Sequence, residues 1–395
     1  MSSVRLLRGL TVAIAAGTLL ATSAGASAAD NEYRIGFITS LTGPAAALGI
    51  PFDQGMKVAE AYKGEINGRK IKVITMDDGT DPTAAARDAR KLIEVDHVDV
   101  LMGTAPTPSG IAVSAVASAH KTPFITAAHV IPYNEANSWT VNSPQPAIIV
   151  LRKIVERMKQ NGVKTVGYIG FADAWGDDVY NSLKEAAKEQ GGIDVVSNER
   201  YARSDTSVTG QVLRIIAKKP DAIINGGSGT PGALPYLEFK KLNYKGQIYG
   251  THAYMDEGFI KAVGSAGNGM IAASGPIEIA RDLPESNPSR AISITFRDIY
   301  KKLNGHSLPA AFASYTFDDY LIFLNAAERV PNSIEPGTAE FRAALKDAIQ
   351  TTKNLAGTQA VYNFEPGHMY GAGEDSIFIV KLENGVWSLD PKDGK

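Results

Sequence analysis

The fold of this chain is most clearly indicated by residues Tyr33–Gly49, which read YRIGFITSLTGPAAALG. A short apolar run, Ile35–Ile38, is followed by a loop of small residues and then by an amphipathic segment that starts near Pro51. This order is typical of a parallel strand that delivers its carboxyl end, and then a helix, to a ligand cleft. The stretch therefore predicts an open α/β sheet with a binding site at its strand ends.

The first 29 residues contain the three parts of an export signal. Arg5 and Arg8 provide positive charge, residues 9–21 are apolar and uncharged, and residues 26–28 are small. The apolar run is shorter than the roughly 20 residues that span a membrane, so we expect a cleavable signal peptide at 1–28, with an uncleaved anchor as the alternative. No Cys follows the apolar run. We therefore expect periplasmic localisation without lipidation.

Composition indicates a soluble globular protein with two lobes. The 395 residues include 40 basic and 42 acidic side chains, which give a formal net charge of −2. Nucleic-acid-binding proteins normally carry a basic face, so this near balance argues against a nucleic-acid partner. The chain has no Cys, and disulfides and thiolate metal sites are therefore excluded. Its length exceeds what one hydrophobic core usually covers.

After the export signal, apolar strand candidates alternate with helical patterns. Asp81 and Pro82, for example, form a typical helix start as N-cap and first helical residue. Such alternation predicts strands joined by crossover helices, and hence parallel sheets. The predicted strands are 35–38, 70–76, 98–102, 123–125, 165–170, 193–201, 221–225, 247–249 and 270–273. The predicted helices are 51–63, 82–95, 108–119, 146–160, 176–189, 208–218, 231–242, 289–304, 315–329 and 337–351.

Pro144 and Pro146 divide this pattern into two similar series, and the chain after Gly357 is predicted to be extended. The expected fold class is α/β, with two Rossmann-like lobes. Ligands in open parallel sheets bind beyond the carboxyl ends of the strands, so the segments that follow the strands are the candidate site. These segments are 39–48, 77–81, 103–109, 126–130, 171–175, 226–230 and 250–254.

Four stretches of the sequence, each of which includes one of these strand ends, resemble the branched-chain amino-acid type of periplasmic substrate-binding protein. That family serves ATP-driven (ABC) importers. The four stretches are IGFITSLTGPAAALG (35–49), GTAPTPSGIAVSAVA (103–117), PFITAAH (123–129) and YIGFADAWGDDVYNSLKEAAKEQG (168–191). Each motif alone is weakly specific, but all four occur in the family's order. The resemblance runs from about residue 33 to residue 385.

This resemblance implies the type I periplasmic binding fold, in which two lobes are joined by a three-stranded hinge and a cleft between them closes on a small solute. It assigns 29–145 plus 277–355 to the N-terminal lobe and 146–276 plus 356–395 to the C-terminal lobe. It also implies a protein without catalytic activity or cofactor. We expect a monomer that delivers its ligand to an ABC permease at the inner membrane.

The chain departs from the family pattern where amino-acid ligands are recognised. Amino-acid binders hold the α-ammonium with an acidic residue at the strand end 250–253, where this chain has His252. The aromatic residue often found after the second-lobe glycine pair is replaced by Ser228, and the tyrosine of the first loop by Leu48. Trp175, in contrast, occupies an aromatic position of the family.

An aromatic carboxylic acid fits these departures better than an amino acid, because an ammonium needs a carboxylate or an aromatic cage. A benzoate or a phenylpropenoate such as p-coumarate is expected, as in the family's aromatic-acid-binding subgroup. The ring is expected on Trp175 or Phe171, the carboxylate at the helix start after Thr107, and a phenolic end at His252 or Ser228. The candidate ligand-binding residues are Ala105, Thr107, Ala128, His129, Phe171, Trp175, Ser228, His252 and Tyr254.

Several alternatives stay open. The ligand can be an amino acid bound by an altered set of residues, or another small acid or amide, and the protein can present its solute to a membrane sensor. Trp175 and the two histidines can be structural, while Thr107 and Ser109 can be plain helix caps. Asp318 and its neighbour at 319 are expected to be a solvated or capping pair on a core helix.

Enzyme and cofactor signals are weak. Residues 227–232 match the spacing GxGxxG, but the next predicted strand does not end in the acidic residue that a dinucleotide site requires. Ser228 lacks the GxSxG frame of a nucleophile elbow. The six histidines show neither HxxxH nor HExxH spacing. We therefore expect no catalytic residue, no metal and no cofactor.

Overall fold

The computed structural model describes residues 32–131, 134 and 137–392. The predicted signal peptide and its cleavage site lie outside these residues. Two mainly parallel sheets with helices packed on them form two α/β lobes, as the alternating pattern predicted. Within the described residues, no helix is both long and apolar enough to cross a membrane.

The first sheet has six strands in the order β2-β3-β1-β4-β5-β6. Its strands run parallel except β2, which forms a short antiparallel hairpin with β3. Its elements are β1 (Glu32–Thr39), α1 (Ala46–Tyr62), β2 (Glu65–Ile66), β3 (Arg69–Asp77), α2 (Pro82–Glu94), β4 (Val100–Gly103), α3 (Thr107–Ala119), β5 (Phe124–Thr126) and β6 (Thr140–Asn142).

A second βαβ series builds the other sheet. Its elements are α4 (Ala147–Gln160), β7 (Thr165–Phe171), α5 (Ala174–Gln190), β8 (Asp194–Tyr201), α6 (Thr209–Ala217), β9 (Ala222–Gly226), α7 (Gly229–Lys241), β10 (Gln247–Gly250), α8 (Glu257–Val263) and β11 (Ile271–Ser274). The chain continues through α9 (Pro288–Asn304), α10 (Ser314–Arg329), α11 (Ala339–Gln350), β12 (Leu355–Ala356), β13 (Val361–Tyr362), β14 (Phe378–Glu383) and β15 (Val386–Leu389).

The C-terminal segments complete both lobes. Helices α9 and α10 pack on α1, and α11 packs on α10. Strand β14 pairs antiparallel with β11, so the second sheet has the order β15-β14-β11-β10-β9-β7-β8. The first lobe therefore comprises β1–β6 with α1–α3 and α9–α11, and the second comprises the seven-stranded sheet with α4–α8. Met369, within the span that the resemblance assigned to the C-terminal lobe, lies against β6 of the first sheet.

Local sequence explains the start of several helices. The side chain of Asp81 accepts hydrogen bonds from the backbone N–H groups of Thr83 and Ala84, and α2 begins at Pro82 as predicted. Its apolar residues, including Leu92, face the sheet. The prediction missed α8, β2, β6 and β12, because short elements carry too few residues to show a period. It expected an extended chain after Gly357, where β13, β14 and β15 lie, but gave no bounds for these strands.

Helix α1 begins earlier than predicted, at Ala46 instead of near Pro51, which lies inside the helix. Its first turn closes when the N–H groups of Leu48 and Gly49 both bond to the carbonyl of Ala45. A Cβ at Gly49 would lie 2.0 Å from the carbonyl oxygen of Ser40, so only glycine fits this close approach. The shift places Leu48 in a helix beside the strand end.

The chain passes between the lobes three times, near residues 145, 277 and 358–359, and these passages are hydrogen-bonded to one another. The amide of Gln145 donates to the carbonyl of Gln359 at 2.7 Å, and the N–H of Ile277 donates to the carbonyl of Thr358 at 3.0 Å. Asp318 accepts from the N–H of Thr358 at 2.8 Å, which ties α10 to the third passage. These three passages form the hinge.

Asp318 and Asp319 are fully buried at this hinge, so the expectation of a solvated pair is wrong. Asp318 also accepts hydrogen bonds from the N–H of Gln359 and the hydroxyl of Tyr362. Burial raises the pKa of Asp318 to about 6, although these donors favour its ionised form. The expectation of a capping pair is also wrong, because Asp318 lies inside α10 and accepts from a loop about 40 residues away instead of capping a helix.

Candidate ligand-binding site

A cavity lies between the carboxyl ends of the two sheets. It contains about 380 Å³ of space that no protein atom fills, part of it open to solvent. Both lobes supply its walls, mainly from the segments that follow β4, β5, β7, β8, β9 and β10. The lining residues are Leu48, Ala105, Thr107, Ala127, Ala128, His129, Pro144, Trp175, Arg203, Ser228, His252, Ala253, Phe312 and Tyr315.

Seven of the nine residues predicted for ligand binding line this cavity. The first lobe supplies Ala105, Thr107, Ala128 and His129, and the second supplies Trp175, Ser228 and His252. They meet because parallel strands deliver their carboxyl ends to one edge of each sheet, and these two edges face each other.

Phe171 and Tyr254 lie behind the cavity wall instead of on it. Phe171 is fully buried in the core, with its ring 5.0 Å from that of Tyr201. The Tyr254 hydroxyl accepts a hydrogen bond from the N–H of Gly227 at 3.0 Å, and this bond supports the loop after β9. Phe171 is the last residue of β7 and Tyr254 follows β10, but both side chains point into the lobe.

Two histidines form a direct contact across the cleft. The Nε2 atoms of His129 in the first lobe and His252 in the second lie 3.1 Å apart, within hydrogen-bond distance. On the other side of its ring, His129 Nδ1 lies 3.5 Å from Oδ2 of Asp178 on α5 and 3.3 Å from the hydroxyl of Tyr370. The ring centroid of His129 is also 4.7 Å from that of Trp175. His129 therefore packs mainly against residues of the opposite lobe.

The cavity contains polar atoms that no described residue satisfies. His252 is 3% exposed, and its Nδ1 has no hydrogen-bond partner within the described chain. The indole Nε1 of Trp175 is likewise buried without a partner among those residues. Burial and the neighbouring His129 hold the pKa of His252 well below its usual range, so its ring is neutral. An unpaired buried polar atom costs about 1–3 kcal/mol, and such atoms in a cavity indicate a place for ligand groups.

Arg203 is the cation of the cavity, and the sequence analysis missed it. Its Nε donates to Oδ2 of Asp173 at 2.7 Å and its Nη1 to Oγ of Ser228 at 3.1 Å. The guanidinium carbon lies 4.0 Å from the ring centroid of Phe171, which supports it from behind. Strand β8 ends at Tyr201, so the same strand-end reasoning applied to β8 would have found this residue.

Other lining residues come from parts of the chain without a local signal. Phe312, in the turn before α10, and Tyr315, in its first turn, reach the cavity, and their rings pack edge to face at 5.5 Å. The Tyr315 hydroxyl donates to Oε1 of Gln145 at 3.2 Å and thereby connects the cavity to the hinge. No pattern in the sequence placed this returning helix beside the strand ends.

The cavity lining has a cationic side chain and, among its described residues, no anionic one. It contains one guanidinium, two imidazoles, two hydroxyl-bearing aliphatic side chains and one tyrosine, but the described lining holds no Asp or Glu. Asp173 behind Arg203 compensates part of its charge. Within the described ranges, no group of three or more His, Cys, Asp and Glu side chains is placed to hold a metal ion. The walls therefore offer hydrogen-bond donors and flat apolar surface.

The chain resembles known proteins over nearly its full length. A model of the periplasmic binding protein family matches residues 32–385. The chain is 26% identical over 358 residues to the Leu/Ile/Val-binding protein BraC3 of Rhizobium johnstonii, covering 88% of this chain and 91% of that protein. It is 37% identical to an extracellular ligand-binding receptor from Rhodopseudomonas palustris HaA2, with a TM-score of 0.87 and coverage of 91% of this chain and 99% of the receptor.

A more distant structure shares the fold alone. The branched-chain amino acid transporter substrate binding protein LivJ of Streptococcus pneumoniae, in complex with isoleucine, is 19% identical, with a TM-score of 0.76 and coverage of 90% and 98%. Members of the matched family are substrate-binding proteins of the periplasm or cell exterior and are not enzymes. They bind small molecules and deliver them to ABC transporters. Since the family match spans most of the sequence, this chain belongs to the periplasmic binding protein family.

Proposed function

We propose that this protein captures a small aromatic carboxylic acid, a benzoate or a phenylpropenoate such as p-coumarate, in the periplasm. We propose further that it acts as a monomer and delivers the acid to an ABC permease at the inner membrane. The observation that carries the proposal is the cavity lining, which combines aromatic walls and a guanidinium with no acidic side chain among its described residues.

The aromatic ring of the ligand is proposed to lie against Trp175. This side chain is 4% exposed, lines the cavity and belongs to the first turn of α5, where its position is fixed by the helix. Tyr315 and Phe312 supply further aromatic surface from the first lobe. Offset and edge-to-face ring contacts add about 0.5–1.5 kcal/mol beyond the burial of apolar area.

The carboxylate is proposed to bind Arg203. Its guanidinium has five N–H donors in a planar fork, and its described contacts with Asp173 and Ser228 use only Nε and Nη1. The start of α3 at Thr107 offers backbone N–H groups and the positive end of the helix dipole from the other lobe. A carboxylate held from both lobes would stabilise the closed form, since closure requires differential affinity for that form.

A branched-chain amino acid is the second candidate, and the names of the curated relatives favour it. These relatives include Leu/Ile/Val-binding proteins, and the cavity has apolar groups such as Leu48 for an aliphatic side chain. An α-ammonium would then need a partner other than a carboxylate of the described lining, for instance the ring of Trp175. Presentation of either solute to a membrane sensor is compatible with the same site.

Titration calorimetry on protein refolded free of endogenous ligand separates the two candidates. The panel pairs p-coumarate, ferulate, benzoate and 4-hydroxybenzoate with leucine, isoleucine and valine. Binding of the aromatic acids alone is expected. A thermal-shift screen supports the titration, because a ligand at 100 times its dissociation constant adds about 2.7 kcal/mol of stability. Binding of leucine or valine with no response to any aromatic acid would overturn the proposal.

A further inference from the structure

A second, smaller cavity lies where the start of α8 meets the first lobe. It contains about 220 Å³ of space that no protein atom fills, part of it open to solvent. Asp256 and Glu257 line it from the second lobe. The other described lining residues belong to the first lobe: Pro51, Gln54, Tyr300, Leu308, Pro309, Ala310, Phe312 and Ala313. Asp256 therefore lies at an interface that forms when the two lobes come together.

The two lobes touch closely around Asp256. The N–H of Phe312 in the first lobe donates to the carbonyl of Met255, the residue before Asp256, at 2.8 Å. A Cβ at Gly258 would lie 3.0 Å from the Cβ of Ala47 in α1 and 3.1 Å from Oδ1 of Asp256. The first lobe thus covers the side chain of Asp256, and separation of the lobes at this interface returns that side chain to water.

The carboxyl group of Asp256 is fully buried at this interface. Its Oδ1 accepts a hydrogen bond from the N–H of Phe259 at 2.8 Å, and the peptide groups of Gly229 and Gly258 also favour the ionised form. Its Oδ2 has no hydrogen-bond partner among the described residues. The three backbone groups belong to the second lobe, so they stay with Asp256 when the lobes separate. Closure therefore buries this carboxyl group further without adding a donor from the described part of the first lobe.

The titratable groups that face Asp256 do not compensate a negative charge. Glu257, the next residue, repels it. Tyr254 from the second lobe and Tyr300 from the first are neutral, since burial raises the pKa of both phenols. The described lining of the cavity contains no Lys, Arg or His. Burial of an unpaired carboxylate is costly, so the buried group binds a proton instead. Burial accordingly raises the pKa of Asp256 to about 8.

We propose that closure of the lobes on a solute takes up a proton at Asp256, and that ligand capture is thereby coupled to pH. With the lobes apart, the carboxyl group contacts water and is ionised at neutral pH. With the lobes together it is neutral, and the proton that it binds comes from the solvent. Because the closed form binds this proton more tightly than the open form, closure is favoured as pH falls from about 8 toward 4. The inference goes beyond the proposed function, since it holds for any solute on which the lobes close.

Calorimetry with p-coumarate at about pH 6.5 measures the proton uptake directly, since the carboxyl and phenol groups of the acid do not titrate there. The titration is run in phosphate and in Bis-Tris, which release different heats when they supply a proton. The wild type is expected to take up about one proton more per bound ligand than Asp256→Asn. His129 and His252 are present in both proteins, so any uptake by the histidines cancels in the comparison. Equal proton uptake by the two proteins would overturn the inference.

The pH dependence of the affinity is the second measurement. From about pH 6 to about pH 8 the dissociation constant of the wild type is expected to rise about 10- to 50-fold, and that of Asp256→Asn much less. Glu257→Gln is the matched control, because Glu257 is adjacent, partly exposed and paired with Lys261. It is expected to retain the wild-type dependence. Asp256→Ser, which also retains a capping side chain, replaces Asp256→Asn if that variant does not fold. A wild type that takes up no proton and binds equally well at both pH values contradicts the inference without any variant.

The choice of ligand separates this test from that of the proposed function. If p-coumarate does not bind and leucine does, leucine replaces it in the same titrations. The proposed function is then wrong, while the proton uptake at Asp256 is still measured. If p-coumarate binds with equal proton uptake in the wild type and Asp256→Asn, the coupling is wrong and the proposed function stands.

Discussion

Replacing Arg203 by Met removes the cationic group of the cavity and retains an unbranched side chain to cover Phe171. In the wild type the guanidinium donates to Asp173 at 2.7 Å and to Ser228 at 3.1 Å. The substitution removes the donors proposed for the ligand carboxylate. It also exposes the carboxylate of Asp173, which caps α5 through the N–H of Gly176, to the same region of the cavity.

The size of the effect follows from these contacts. Hydrogen bonds to a charged group contribute about 1.5–3 kcal/mol, and the uncovered Asp173 adds repulsion toward an anion. We expect Arg203→Met to weaken p-coumarate by about 2–3 kcal/mol, which is roughly a 30- to 150-fold rise in dissociation constant. Arg203→Lys keeps the charge but not the fork, so an intermediate loss is expected.

Titration calorimetry at constant ionic strength measures this effect. The uncharged p-coumaramide serves as the matched ligand and is expected to lose much less than the acid. Arg200→Met is the matched variant, because Arg200 lies on β8, three residues before Arg203, and donates to the carbonyl of Phe171 without lining the cavity. An unchanged affinity for p-coumarate in a folded Arg203→Met protein would refute the assignment of the carboxylate to Arg203.

Three further outcomes are expected. Trp175→Ala should weaken an aromatic ligand by about 1–3 kcal/mol in calorimetry, and an unchanged value would remove Trp175 from the site. Burial raises the pKa of Asp256 to about 8. The folded state thus binds the Asp256 proton more tightly than the unfolded state does. The contribution of this group to the free energy of unfolding therefore falls as pH rises from about 4 to 8, by up to about 1.4 kcal/mol per pH unit. Asp256→Asn, which retains the cap on α8, should flatten that decline in urea unfolding, and an identical slope would contradict it. Gly275→Ala at the hinge should cost about 1–3 kcal/mol in the same assay, because its Cβ would lie 2.0 Å from Oε1 of Gln359. Gly210→Ala should not, because its Cβ would meet only Nη1 of Arg214, at an ordinary contact distance of 3.5 Å.

Local patterns accounted for the class of fold and for most of the long elements. The start of α2 at Pro82 was readable because a helix cap involves neighbours three residues apart. The start of α1 was not, since the turn before Pro51 depends on the contact of Gly49 with Ser40, which only the folded loop creates. The burial of Asp318 was not predicted for the same reason, because its hydrogen-bond partners lie about 40 residues away in the sequence.

The candidate site shows the same division. Strand-end reasoning located seven lining residues because the carboxyl ends of parallel strands share an edge, a property of the βαβ unit itself. It did not separate Trp175, which lines the cavity, from Phe171, which lies behind it, because the direction of a side chain is set by packing within the lobe. It also missed Tyr315, which reaches the cavity only after α10 returns to the first lobe.

The amino-acid sequence by itself determined the alternation of strands and helices, the division into two series and the segments from which a ligand site is built. These features depend on interactions between residues a few positions apart and on the periods of strand and helix. Only the tertiary structure decided which side chains meet. Arg203 beside Ser228, and His129 in contact with His252 at a separation of 123 residues, follow from the packing of two lobes against each other. That packing depends on the whole buried surface, and no local stretch of the chain encodes it.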